Sequence, residues 1–109
     1  MAFTEITDSS RLDELFNRSG EQPVVLFKHS LTCPISHAAY EEMSLMKEDD
    51  INLVIVQDAR AVSNEIAART GIRHESPQAV IVRDGKVAWH ASHYDITKAA
   101  VTRALEEMR

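Results

Sequence analysis

Apolar positions along this chain switch between two periods. In SSRLDELFNRSG (9–20), Leu12, Leu15 and Phe16 fall at helical spacing. Ser10 with Asp13 three residues on reads as the helix start, and Gly20 as its stop. PVVLFK (23–28) is a continuous apolar run, which predicts a strand buried on both faces, with Pro23 tolerated at its first position. From Pro34 to about Lys47 the helical period returns, and Ile35, Ala38, Ala39, Met43 and Met46 can line one face. The acids at 48–50 predict a solvated loop, because negative charge opposes the helix dipole at a carboxyl end. INLVIVQ (51–57) reads as a second buried strand, AVSNEIAARTG (61–71) as a helix ending at Gly71, and AFTEI (2–6) as a short edge strand.

QAVIV (78–82) and KVAWHA (86–91) flank Asp84-Gly85, a strong hairpin signal because both residues accept positive φ. Val87 and Trp89 alternate with Lys86, Ala88 and His90, as on an edge strand. Asp95 is expected to cap a last helix with Ile96, Ala100, Ala104, Leu105 and Met108 inward. The order β-α-β-α-β-α-β-β-α implies a parallel part and an antiparallel hairpin edge. The expected fold is α/β: one domain over residues 1–109, with a mixed central sheet and helices on both faces. In open sheets of this kind, sites gather beyond the carboxyl ends of the parallel strands. That rule points to KHSLTC (28–33).

Composition narrows the function. A net charge of −5 over 109 residues argues against nucleic acid, whose phosphates demand clustered Lys and Arg. A local basic pocket for a small anion stays open. The opening MAFTEITDSS lacks the basic start and apolar run of a secretory signal. No apolar stretch approaches the roughly 18 residues of a membrane helix. Cys33 is the single cysteine. A lone thiol fits a reducing compartment, so a cytoplasmic protein without a membrane partner is expected.

One cysteine cannot form a disulfide within its own chain. With Cys33 as N-cap, Pro34 stands at the first helical position, where its missing N–H costs nothing. The free amides of Ile35 and Ser36 would point back toward the sulfur, and a thiolate would feel the positive end of the dipole. A stabilised thiolate attacks more slowly but leaves more readily, which favours exchange through mixed disulfides. The bland alternative is an inert capping cysteine. Two features weigh against it. Ser36 stands three residues on, where dithiol oxidoreductases carry their second sulfur, so that its hydroxyl or N–H can hydrogen-bond Cys33. Pro77, directly before a predicted strand, suggests a turn that admits a cis bond.

From end to end the chain resembles a thioredoxin-fold protein. GIRHESPQAVIVRDGKVAWH is similar to the thioredoxin stretch whose proline is cis and faces the reactive cysteine. TCPIS (Thr32 to Ser36) resembles the motif of the monothiol bacilliredoxins, the YtxJ-like family of low-GC Gram-positive bacteria. The resemblance implies removal of bacillithiol from S-bacillithiolated client proteins. Cys33 would attack the mixed disulfide, free the client thiol and keep bacillithiol on its own sulfur. A second low-molecular-weight thiol, or a reductant acting on it, would regenerate Cys33. Thr32, Pro34, Ile35, Ser36, Ser76 and Pro77 would contact substrate, with Ser36 replacing the resolving cysteine. Bacillithiol would be a co-substrate, with no tightly bound cofactor. Three residues depart from thioredoxin itself: Thr32 stands for the tryptophan, Ser36 for the second cysteine, and Phe27 for the usual buried acid.

Other chemistry is weaker. Cys33 and His37 share a helical face, and His29 and His74 could add ligands, but no paired metal-ligand motif supports a zinc site. His37, His90 and His93 read as surface residues. Lys28, His29, Arg73 and His74 could form a basic pocket near Cys33 that suits the malate group of bacillithiol, or could be solvated charges. Rival functions are the same exchange with glutathione, an iron–sulfur carrier as among monothiol glutaredoxins (whose Cys-Gly-Phe-Ser motif is absent), and a non-catalytic binding or redox-sensing module.

Overall fold

The computed structural model describes residues 3–108; Met1, Arg109 and the Ala2 of the expected first strand lie outside. In chain order the elements are β1 (Phe3–Glu5), α1 (Ser9–Arg18), β2 (Val24–His29), α2 (Pro34–Ser44), β3 (Ile51–Ile55), α3 (Arg60–Thr70), β4 (Gln78–Arg83), β5 (Lys86–Ser92) and α4 (Lys98–Glu107). A short 3-10 turn, His93–Asp95, precedes α4. The sheet runs β1-β3-β2-β4-β5. β1 and β2 both pair parallel with β3, whereas β4 pairs antiparallel with β2 and β5.

Strand alternation divides the core into two layers. Val25 and Phe27 of β2 pack with Ala39 and Met43 of α2 and with Val101 and Leu105 of α4. Val24 and Leu26 face the other way, toward Leu12 and Leu15 of α1 and Val62 and Ile66 of α3. All six residues of β2 are buried: the apolar run 24–27, as that run required, and also Lys28 and His29. Met43 and Phe27 are fully buried, and truncating a side chain of that kind to Ala typically costs about 2–5 kcal/mol.

The hairpin forms at Asp84 and Gly85, both at positive φ (56° and 73°). Gly71 ends α3 in the left-handed region. Several expected details differ. Asp8, not Ser10, caps α1, accepting the amides of Ser10 and Arg11. Thr97, not Asp95, caps α4, because Asp95 is taken up in the 3-10 turn. Ala38 faces solvent, and Val101 takes a core position of α4 that the expected inward set lacks. β3 stops at Ile55, leaving Gln57 in the turn beyond it.

Candidate active site

Cys33 stands where β2 gives way to α2. It is the N-cap of α2, with extended backbone (φ −99°, ψ 121°) and Pro34 at the first helical position. Its carbonyl accepts the His37 N–H at 3.0 Å, the first bond of the helix. The cysteine is free and partly exposed. Its side chain makes no capping hydrogen bond. The expected amide contacts to sulfur are therefore not formed, which fits the weak acceptor character of a thiol sulfur. Thr32 and Pro34 are exposed beside it and Ile35 is half-buried.

Ser36 points inward rather than toward the sulfur. It is fully buried, its Oγ accepts the Ser30 N–H at 2.8 Å, and it lies 3.2 Å from His29 Nδ1. The expectation that the Ser36 hydroxyl bonds Cys33 is thus corrected, because the Ser30 amide and the His29 ring engage it. His29 is buried, its ring centroid 4.8 Å from that of Tyr40 and 5.9 Å from that of Phe27. Burial holds its pKa below the usual histidine value, opposed by a backbone hydrogen bond at Ser36 and aided by His37 nearby. A neutral ring with the proton on Nε2 lets Ser36 donate to Nδ1 while it accepts from Ser30.

The other candidate segment is the step into β4. The Ser76-Pro77 bond is cis. Gln78 pairs with Lys28, so continuing the register sets Pro77 across from His29, at the end of β2. Ser76 Oγ is buried and pairs with nothing among the described residues. The Pro77 carbonyl accepts the His93 N–H at 3.1 Å, and His93 Nδ1 lies 3.2 Å from Glu75 Oε2. His93 adopts φ 55° there, unusual for a residue with a side chain. The turn at 93–95 also packs against α2.

The four basic residues 28, 29, 73 and 74 do not form one pocket. Lys28 and His29 are adjacent in β2 and point to opposite faces. His29 joins Ser36 on the α2 side, whereas Lys28 is buried on the α3 side. Lys28 Nζ lies 3.2 Å from His74 Nδ1, and Ser63 Oγ of α3 lies 3.2 Å from the same nitrogen. Burial lowers the Lys28 pKa to about 8. His74 is also held below its usual value, by burial first and then by Lys28 and Arg60. Arg73 is exposed. His37 is exposed and pairs with Glu41 at 3.0 Å. Among the described residues, no three His, Cys, Asp or Glu side chains gather to hold a metal ion, and no helix is long and apolar enough to cross a membrane.

One residue escaped the sequence reading. Gln57 Oε1 accepts the Leu31 N–H at 3.2 Å, and its Nε2 donates to Ser30 Oγ at 2.8 Å. The available signal was position: a polar residue just past the carboxyl end of a parallel strand, beside the strand that carries the cysteine.

Residues 4–101 match the protein family described as "Monothiol bacilliredoxin BrxC". Among solved structures the chain is similar to an inferred oxidoreductase with a thioredoxin fold, at 30% identity and a TM-score of 0.85, covering 94% of this chain and 93% of that one. It is also similar to the thioredoxin of Fasciola hepatica (13% identity, TM-score 0.73, 96% and 98% covered). The thioredoxin of Trypanosoma brucei brucei is a further match (11% identity, TM-score 0.75, 96% and 88% covered). The two thioredoxins establish the fold alone.

Proposed function

The chain belongs to the monothiol bacilliredoxin family and is a monothiol redox protein of thioredoxin fold; from that premise we propose that it removes bacillithiol from S-bacillithiolated proteins. The Cys33 thiolate attacks the bacillithiol sulfur of the client disulfide. The sulfur–sulfur bond breaks, the client leaves as thiolate, and bacillithiol remains on Cys33. A second small thiolate then attacks that sulfur and releases Cys33 as thiolate, so each step exchanges one disulfide for another without net oxidation. Ser76 and Pro77 hold the incoming disulfide through their backbone, and Thr32, Pro34 and Ile35 border it. Such exchange belongs in a reducing cytoplasm.

The observation that carries this reading is a partly exposed helix-capping Cys33 with no second cysteine in the chain. Ser36 is engaged with Ser30 and His29, which supports a site that passes its adduct to another molecule. The test is to incubate the reduced protein with a bacillithiolated client and follow intact mass. Bacillithiol appearing on Cys33 as the client is freed is the expected result. A Cys33→Ser protein equally active in that assay would defeat the reading. A client carrying glutathione, run in parallel, separates the two small thiols.

A further inference from the structure

We propose that Gln57 is a positioning residue for Cys33, acting through the three residues that precede the cysteine. Beyond Ile55 the Val56 N–H donates to the His29 carbonyl at 2.9 Å, extending the β2–β3 pairing past the strand. The chain then folds back, with the amides of Asp58 and Ala59 both reaching the Ile55 carbonyl (3.0 and 2.9 Å). Gln57 heads that turn, its backbone fixed on both sides.

Its amide group spans the loop before the cysteine. Oε1 accepts the Leu31 N–H at 3.2 Å. Nε2 donates to Ser30 Oγ at 2.8 Å, with Thr32 Oγ1 at 3.5 Å. Only one orientation of the amide serves the loop, since a flip would set donor against donor at Leu31. Ser36 supplies the other tie by accepting the Ser30 N–H at 2.8 Å. Successive amides, 30 and 31, are thus held by side chains from two different elements. Cys33 follows two residues later, with Pro34 behind it. Without Gln57 the Leu31 amide loses its partner, and the loop can present the sulfur over a wider range of approach.

The activity arm of this inference rests on the function proposed above; the reactivity arm does not. The experiment compares wild type, Gln57→Ala and Gln57→Glu by the rate of Cys33 alkylation with iodoacetamide against pH, bacillithiol transfer from a thiolated client, and Tm. Gln57→Glu keeps an acceptor for Leu31 and gains one for the Ser30 hydroxyl, so the loop stays tied, but a negative charge now stands beside Thr32, the residue before Cys33. Its alkylation profile is expected to move to higher pH by about half a unit or more. Gln57→Ala is expected to slow transfer about 3- to 10-fold, the order of one lost hydrogen bond, with little change in Tm. Unchanged alkylation profiles and transfer rates in both variants overturn the inference. So does a loss in Gln57→Ala that merely follows a fallen Tm. If wild-type Cys33 takes no bacillithiol from the client, the proposed function fails, and the alkylation rate of Gln57→Ala still decides: a rate within about 2-fold of wild type overturns the positioning role, and a change of about 3- to 10-fold supports it.

Discussion

Ser36 Oγ lies 3.2 Å from His29 Nδ1, and both residues are buried beneath the first turn of α2. At the position where a dithiol enzyme would carry its second sulfur, this chain has a hydrogen-bonded strut. The hydroxyl joins α2 to the Ser30 amide and to a neutral imidazole at the end of β2.

Ser36→Ala removes that strut and leaves the Ser30 amide without its acceptor. The expected cost is about 1–3 kcal/mol, the desolvation penalty of a buried group left unpaired. Urea unfolding at pH 7 measures it. A midpoint equal to wild type would show that the hydroxyl is dispensable.

Cys33→Ser separates chemistry from stability. Cys33 is partly exposed and its side chain makes no capping hydrogen bond, so stability should stay within about 0.5 kcal/mol of wild type. Disulfide exchange should vanish. Adduct formation by the serine variant, seen by intact mass, would contradict this.

Lys28 predicts a stability change on the alkaline side. Its pKa falls from 10.5 to about 8 on burial. Between those values the unfolded chain holds the proton and the folded chain does not, so stability rises with pH across that window. Below pH 8 the folded state carries the whole penalty, on the order of 3 kcal/mol. Lys28→Met should stabilise the protein at pH 7 by about 1–3 kcal/mol, since an apolar residue of similar volume removes a buried charge. The difference between variant and wild type should shrink from pH 8 to 10.5. A variant less stable than wild type at pH 7 would mean that the Lys28–His74 contact outweighs desolvation.

The acid side is governed chiefly by His29, which is buried and lowered from 6.5 mainly by that burial; His74 is lowered too but is exposed, so it adds less. A histidine depressed in the folded state holds fewer protons there than in the unfolded chain. Stability is therefore lost as pH falls below about 6.5 toward the folded values. His29→Phe keeps a ring between Tyr40 and Phe27 and removes one titration. Its unfolding free energy should fall less steeply than wild type between pH 6.5 and 5. Equal slopes would count against the burial account of His29.

Much of this was legible in the chain itself. The unbroken run at 24–27 and the Asp84-Gly85 turn specified strands and hairpin, because burial on both faces and positive φ leave few alternatives. The position of Cys33 followed from its proline neighbour. Caps were less legible: Asp8 and Ser10 both suit the role, and only the path of the incoming chain selects Asp8. Opposite placement of Lys28 and His29 follows from strand alternation, yet stays hidden while the strand is read as ending at Lys28. Gln57 was obscured by the apolar run before it, since its role depends on a loop 26 residues away.

Cys33 follows, four residues on, the strand in the middle of the sheet. β2 has five paired positions with β3 on one side and five with β4 on the other. A small thiol held on Cys33 would act as a lever, and any force on it would enter the molecule at this loop. The load then spreads sideways into two neighbouring ladders, instead of peeling a rim strand away. The sulfur that would carry such an adduct thus sits on an anchored frame.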